Sequence, residues 1–197
     1  MRNIFLDLGT HYGQGMREFI ERFNMDQTWE IYTFEANPVT FDKFLKEYGH
    51  LTPGVRAYNA AVSDHNGLIT VNLETPPGED DTGMGSSVIP LDKWDPWGMQ
   101  SNDQFKLQRE VKCFDLSGFI QELFQPEDNI IVKMDIEGSE FDTLEKMIAD
   151  GTMEYINHIS IEWHARFFKN REEIEIREAA LLEKLKTYPN LVSEAWR

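Results

Sequence analysis

Four groups of residues in this chain have the types and spacing that chemistry needs. The first is Asp7-Leu8-Gly9-Thr10-His11-Tyr12-Gly13-Gln14-Gly15, set between a short apolar run from Asn3 to Leu8 and a stripe of Met16, Phe19, Ile20 and Phe23 at helical spacing. Glycines in such a loop let the backbone approach a ligand closely, and the start of the helix offers free N–H groups. The spacing is not G-x-G-x-x-G and no Walker lysine follows, so phosphate cradling explains it poorly, whereas Asp7 at the strand end suits a ligand with a positive end. The second is Glu35, which ends the run Glu30 to Phe34. It falls about twenty residues past the last glycine, where an acidic side chain of an α/β fold accepts hydrogen bonds from both ribose hydroxyls. The third is Asp135, Glu137 and Glu140, directly after the apolar run Ile130 to Met134. The fourth is Glu162 and His164, which the alternation from Ile159 to His164 puts on one side of a strand.

The elements that must position these groups alternate between strand-like runs and helical stripes, the pattern of an α/β protein with a mostly parallel sheet. After Glu35, Asn37 can cap a helix whose first turn holds Pro38 and whose stripe is Phe41, Phe44, Leu45 and Tyr48. Further strands are expected at Val55 to Asn59, at Ile69 to Leu73 (antiparallel, after the Asn66-Gly67 turn), and at Val111 to Phe114. A helix follows from Leu116 to Phe124. Ser139 with Asp142 three residues on reads as a capping box for a helix that Asp150-Gly151 stops. A helix with Ile174, Leu181, Leu182 and Leu185 and a short strand from Leu191 to Ala195 finish the chain. Residues 75–106 carry Pro76-Pro77-Gly78, acidic Glu79-Asp80-Asp81 and Gly83-Met84-Gly85-Ser86-Ser87, a composition that favours a mobile loop, a lid or insertion, over packed structure. At 197 residues, one domain spanning 1–197 is the expectation.

The net charge of −16 repels polyanions, and there is no Lys/Arg run, so neither nucleic acid nor an anionic membrane surface is an expected partner. Cys113 is the single cysteine, which excludes an internal disulfide and paired-cysteine zinc spacing and fits a reducing compartment. The first apolar run is too short and insufficiently basic for a signal peptide, and no later run is long enough to span a bilayer, so the expected setting is the cytoplasm.

Taken together, Asp7-Leu8-Gly9 with Gly13, Phe34-Glu35-Ala36-Asn37-Pro38, Ala60-Ala61-Val62-Ser63, Phe114-Asp115-Leu116, Lys133-Met134-Asp135-Ile136-Glu137-Gly138-Ser139-Glu140 and Ile161-Glu162-Trp163-His164 resemble the FkbM family of methyltransferases. The block from Lys133 to Glu140 is the most specific of these. The resemblance implies a Rossmann-like class I methyltransferase fold, S-adenosylmethionine as methyl donor, and transfer to oxygen, often a hydroxyl on a sugar or natural product. It further implies that Asp7, Gly9, Thr10 and Gly13 frame the methionine part of the cofactor, with Asp135 beside it, that Glu35 binds the ribose, and that Asn59 and Ala60, at the end of the third strand, lie by the adenine. The chain departs from the family pattern at Thr10-His11-Tyr12, where Ala-Asn and a small apolar residue are commoner, which singles out His11. It also stops soon after Ala195, so the antiparallel strand that normally completes the sheet is expected to be short or missing, and the oligomeric state is left open.

Methyl transfer to a hydroxyl needs alignment of donor and acceptor and removal of a proton. Open α/β sheets bind ligands at the carboxyl ends of their strands, where Asp135, Glu137, Glu140, Glu162 and His164 all fall. Asp135, Glu162 and His164 could hold a hard or borderline divalent cation such as magnesium that lowers the hydroxyl's pKa. Alternatively His164 or His11 acts alone as general base. Glu137 and Glu140 either contact the acceptor or simply favour a helix N-terminus. Ser86 and Ser87 either close over the acceptor or belong to a plain loop. Trp94, Trp97 and Trp163 could stack on a sugar, a core role being the default for each, and His50, His65 and His158 read as surface or structural. A catalytically silent cofactor-binding domain acting through a partner, and a nucleotide-dependent oxidoreductase, are the competing functions; the missing G-x-G-x-x-G spacing argues against the second.

Overall fold

The computed structural model describes residues 1–48, 54–74, 85–96, 105 and 107–196. Eight strands form one sheet: β1 (Asn3–Leu8), β2 (Trp29–Glu35), β3 (Val55–Ser63), β4 (Gly67–Leu73), β5 (Leu107–Asp115), β6 (Asn129–Met134), β7 (Ile156–Ile161) and β8 (Val192–Ala195). Their order is β4-β5-β3-β2-β1-β6-β7-β8. Every pairing is parallel except β4 with β5. The chain moves outward from β1 through β2 to β3, then returns to the other side of β1 for β6, β7 and β8. The order therefore reverses between β1 and β6, and at such a switch point the loops part and leave a crevice at the carboxyl ends.

Both faces are covered, which explains the near-continuous apolar runs of the central strands. On one face, Ile4, Leu6 and Leu8 of β1 and Ile130, Val132 and Met134 of β6 pack with α3 (Leu116–Leu123), α4 (Glu140–Ala149) and α5 (Arg171–Leu185). On the other, Phe5 and Ile131 pack against α1 (Gln14–Arg22) and α2 (Pro38–Glu47) through Met16, Phe19 and Phe44. Asp7 and Lys133 are paired in the β1–β6 register, two residues past Phe5 and Ile131, so both point to that second face.

Several expectations need correction. β3 does not end at Asn59 but continues to Ser63, because after leaving β2 it gains a second neighbour, β5, from Ala60 onward. β7 stops at Ile161, although the Glu162 N–H still donates to the Met134 carbonyl. Ser139 makes no capping-box bond to the N-terminus of α4; its hydroxyl donates instead to Ser63 Oγ and ties α4 to β3. The short last strand, β8, is parallel to β7, so among the described residues no antiparallel strand completes this edge of the sheet, in line with the expectation that it is short or missing. Asn37 does cap α2, accepting from Val39 N and Thr40 N.

Within the expected loop of 75–106, residues 75–84, 97–104 and 106 lie outside the described residues, and with them the readings on Gly83, Met84, Trp97 and Glu79 to Asp81; His50 lies outside as well. The described stretch 85–96 is packed. Ser87 exchanges backbone hydrogen bonds with Asn72, and Trp94, 0% exposed, is bridged to Phe168 and packs against Gly138. Composition favoured mobility there, but one buried tryptophan and its backbone bonds anchor the stretch.

Candidate active site

A cavity of about 360 Å³ opens at the switch point, within the size range of ligand pockets. Its floor is the turn after β1. Gly9 has φ +77°, its N–H and that of Thr10 both donate to the Phe34 carbonyl, and a Cβ on Gly9 would lie 1.7 Å from the Asp135 carbonyl oxygen. Only glycine lets the ends of β1 and β6 come this close.

Glu35 lines one end of the cavity together with Phe34, Ala36, Ala60, Ala61 and Val62. Its two carboxylate oxygens accept the N–H groups of Asn37 and His11, both at 2.8 Å, which fixes the side chain. Burial nevertheless pushes its pKa up to about 7. The Asn59 amide donates to the Glu35 and Ala36 carbonyls and does not line the cavity, so of the two residues expected beside the adenine only Ala60 lines it.

Lys133, almost wholly buried, also lines the cavity, and its role is one that sequence reasoning missed. It is 1% exposed, its Nζ is 2.6 Å from the Gly9 carbonyl and 3.4 Å from both Asp7 Oδ1 and Asp135 Oδ2, and it lies 4.5 Å from the Trp196 ring centroid. Burial opposes its charge, but the two carboxylates outweigh burial and keep it protonated. The signal was present: a lysine inside the apolar run Ile130 to Met134 must be partnered. Asp7 is correspondingly 0% exposed, receives the Thr10 hydroxyl at 2.7 Å and lines no part of the cavity, so its charge is answered inside the protein and not by a ligand's positive end. Gly13 also stands behind the wall, where a Cβ would meet Phe44.

The other end of the cavity is acidic. Asp135, Glu137, Glu162 and His164 all line it. His164 is 1% exposed; its Nε2 faces Glu137 Oε2 at 3.5 Å, Asp135 Oδ1 at 3.8 Å and Glu162 Oε1 at 3.9 Å. One ligand atom each from Asp135, Glu162 and His164 lie within 4.8 Å of one another, a grouping that could hold a metal ion. Donors around one octahedral cation stand roughly 3–4 Å apart, so side-chain shifts of about 1 Å or less would let these three share an ion. Burial lowers the His164 pKa, but Glu140, Glu137 and Asp135 overrule it and hold the imidazole up at about 10. Burial, with Asp135, Glu140 and Glu162, pushes Glu137 up to about 8 against the pull of His164. Glu137 also has φ +50° and a buried Oε2 with no hydrogen bond, the kind of strain that collects at functional sites.

Two expected substrate contacts are reassigned. Glu140 is 0% exposed and its oxygens are taken by Ile136 N, Gly138 N and His164 Nδ1. The Ser87 hydroxyl donates to the Glu137 carbonyl and holds that strained residue, while Ser86 does line the cavity. His11 lines it too; burial lowers its pKa, and its Nε2 is buried without a hydrogen bond. Trp94 and Trp163 pack in the core. The aromatic lining is instead Phe34, Phe167 and Trp196; Phe167, Trp196 and the neighbouring Arg166 were not singled out by the sequence.

The family model of the methyltransferase FkbM domain matches residues 7–186. No curated protein matches the chain. Among solved structures, methyltransferase FkbM from Methylobacillus flagellatus KT is similar in fold, with a TM-score of 0.52 and 11% identity over 92% of this chain. The chain spans 37% of that one's length.

Proposed function

The chain belongs to the methyltransferase FkbM domain family, and on that premise we propose that it transfers the methyl group of S-adenosylmethionine to a hydroxyl of a sugar or other small molecule, using a divalent cation held by Asp135, Glu162 and His164. One observation carries the reading: a single cavity joins Glu35 and Ala60 at one end to Asp135, Glu162 and His164 at the other, with Gly9 between them. The residues fit the donor. Glu35, its direction fixed by two backbone N–H groups, keeps lone pairs for ribose hydroxyls, and Phe34, Ala60, Ala61 and Val62 offer apolar surface to a base. They also fit a cation, since the Nε2 of the buried His164 lies between 3.5 and 3.9 Å from carboxylate oxygens of Glu137, Asp135 and Glu162.

Bound S-adenosylmethionine supplies an electrophilic methyl carbon, and a bound cation lowers the pKa of a hydroxyl that coordinates it. The chain's own work is alignment: Glu35 anchors the nucleoside end, Lys133 fixes the Gly9 carbonyl and Asp135, and Phe167, Val88 and Trp196 narrow the water-accessible space. His164, committed to Glu140 and the cluster, is a poor general base. The neutral His11, with its unpartnered Nε2, is the imidazole left to take a proton.

Residues 1–197 are taken as one methyltransferase domain. No helix among the described residues is long and apolar enough to cross a membrane; with the charge of −16 and the single cysteine, this supports a cytoplasmic enzyme acting on small molecules and not on nucleic acid. Calorimetric titration with S-adenosylhomocysteine, with NADH as control, tests the donor assignment. Saturable binding of the first alone is expected, followed by turnover on hydroxyl acceptors that a chelator suppresses. A folded protein that binds neither compound would refute the reading.

A further inference from the structure

The proposed cation site differs from an all-oxygen site in one donor, and the structure holds that donor firmly. The carboxylate of Glu140 is 0% exposed and accepts from Ile136 N and Gly138 N, both at 3.0 Å, the backbone of the turn that carries Asp135 and Glu137. Its Oε1 also lies 2.9 Å from His164 Nδ1. The carboxylates keep the ring protonated without a cation, and a cation entering the site would displace the Nε2 proton; with Glu140 pinned as an acceptor, the remaining proton stays on Nδ1 and Nε2 faces Asp135, Glu137 and Glu162. Metal-binding imidazoles are fixed by such an outer carboxylate, which sets both tautomer and ring orientation.

Building on the cation reading above, we infer that Glu140 is a positioning residue that makes His164 a metal ligand, and that the site therefore takes a first-row transition dication such as Mn2+ in preference to Mg2+. Mg2+ favours oxygen ligands and retains waters, whereas imidazole suits the transition series. The nitrogen donor thus shifts the preference of a site that its carboxylates alone would leave open to magnesium.

Glu140→Gln separates this role from a general loss of charge. Removing a negative charge weakens every dication alike, but losing the presented imidazole weakens Mn2+ more than Mg2+, so the ratio of the two affinities is the readout. Protein freed of metal by chelator is titrated with Mn2+, the free ion being followed by electron paramagnetic resonance, and Mg2+ is measured by competition. The parent should bind Mn2+ about tenfold or more tighter than Mg2+, and Glu140→Gln should lose about 10- to 100-fold in Mn2+ affinity with a smaller loss for Mg2+. His164→Gln, which replaces the nitrogen by an amide, should narrow the ratio in the same way and serves if Glu140→Gln does not fold. Equal affinities in the parent, or a ratio unchanged by both variants, overturn the inference alone. A parent that binds S-adenosylhomocysteine but no Mn2+ overturns the cation reading and this inference with it, and leaves the methyl-donor assignment standing.

Discussion

Replacing Glu35 by alanine puts the nucleoside end of the cavity to the test. The side chain is held by two 2.8 Å bonds from His11 N and Asn37 N, so it meets a ligand without reorganising. Its remaining lone pairs would accept ribose hydroxyls, and hydrogen bonds to a charged group are worth about 1.5–3 kcal/mol, a loss of about 10- to 150-fold in affinity. The pH dependence of the parent gives an independent check, because burial holds the Glu35 pKa at about 7 in the empty cavity. Ligand hydroxyls favour the ionised form, so S-adenosylhomocysteine binding should weaken by up to about tenfold per pH unit below that value and should release a proton near it. The stability sign runs the other way for the empty protein. A carboxyl whose folded pKa is raised favours the folded state while protonated, and this contribution is lost as pH rises from the ordinary carboxylate range through about 7. Ligand-induced thermal stabilisation should therefore grow between pH 6 and pH 8, window ends chosen as about one unit either side of the Glu35 pKa. Calorimetry in buffers of different ionisation enthalpy reads affinity and proton release together. An unchanged dissociation constant in Glu35→Ala would refute the ribose assignment.

Other residues give shorter tests. Asp135→Asn should reduce turnover far more than S-adenosylhomocysteine affinity, and full activity on an identified acceptor would remove Asp135 from the site. Lys133→Met should destabilise the fold by about 3–5 kcal/mol in urea titration, because it leaves Asp7 uncompensated, and adding Asp7→Asn should recover part of that; an unchanged midpoint would contradict the buried pairing. Gly9→Ala should abolish S-adenosylhomocysteine binding, since its Cβ would collide with the Asp135 carbonyl; normal binding would mean the β1–β6 approach is looser than described. Against burial, Arg2 and the Gln125 N–H hold the Asp128 carboxylate down at about 2. That stabilisation is full above the ordinary carboxylate range and disappears as pH falls towards 2, so Asp128→Asn should flatten acid unfolding over that window, as circular dichroism would report.

Much of the framework was legible along the chain. Alternating strand and helix periods located β1, β2 and β6 within a residue of their observed limits, because each is a central parallel strand whose two buried faces leave a near-continuous apolar run. The glycine turn, Glu35, and the grouping of Asp135, Glu162 and His164 were legible for a related reason: open α/β sheets form their crevices at strand ends, and strand ends show in the apolar pattern. Local signals misled where a nearer partner existed in space. Ser139 has the sequence of a capping box, but Ser63 lies within reach of its hydroxyl. Residues 85–96 read as part of a free loop, yet Trp94 and Ser87 anchor them.

The sequence by itself determined which residues carry charge and hydrogen-bonding power and at which ends of which strands they stand. Only the tertiary structure decided which of them face the cavity and which face one another. Asp7 and Asp135 both end central strands, yet the β1–β6 register sets Asp7 beside Lys133 and seals it, while Asp135 keeps one oxygen towards Lys133 and the other towards His164. Glu137 and Glu140 stand three residues apart, and one points into the cavity while the other is consumed by the turn and by His164. The physical reason is that a carboxylate's role depends on which donors it meets after folding, and those donors come from strands more than a hundred residues apart in one case and from a neighbouring turn in the other.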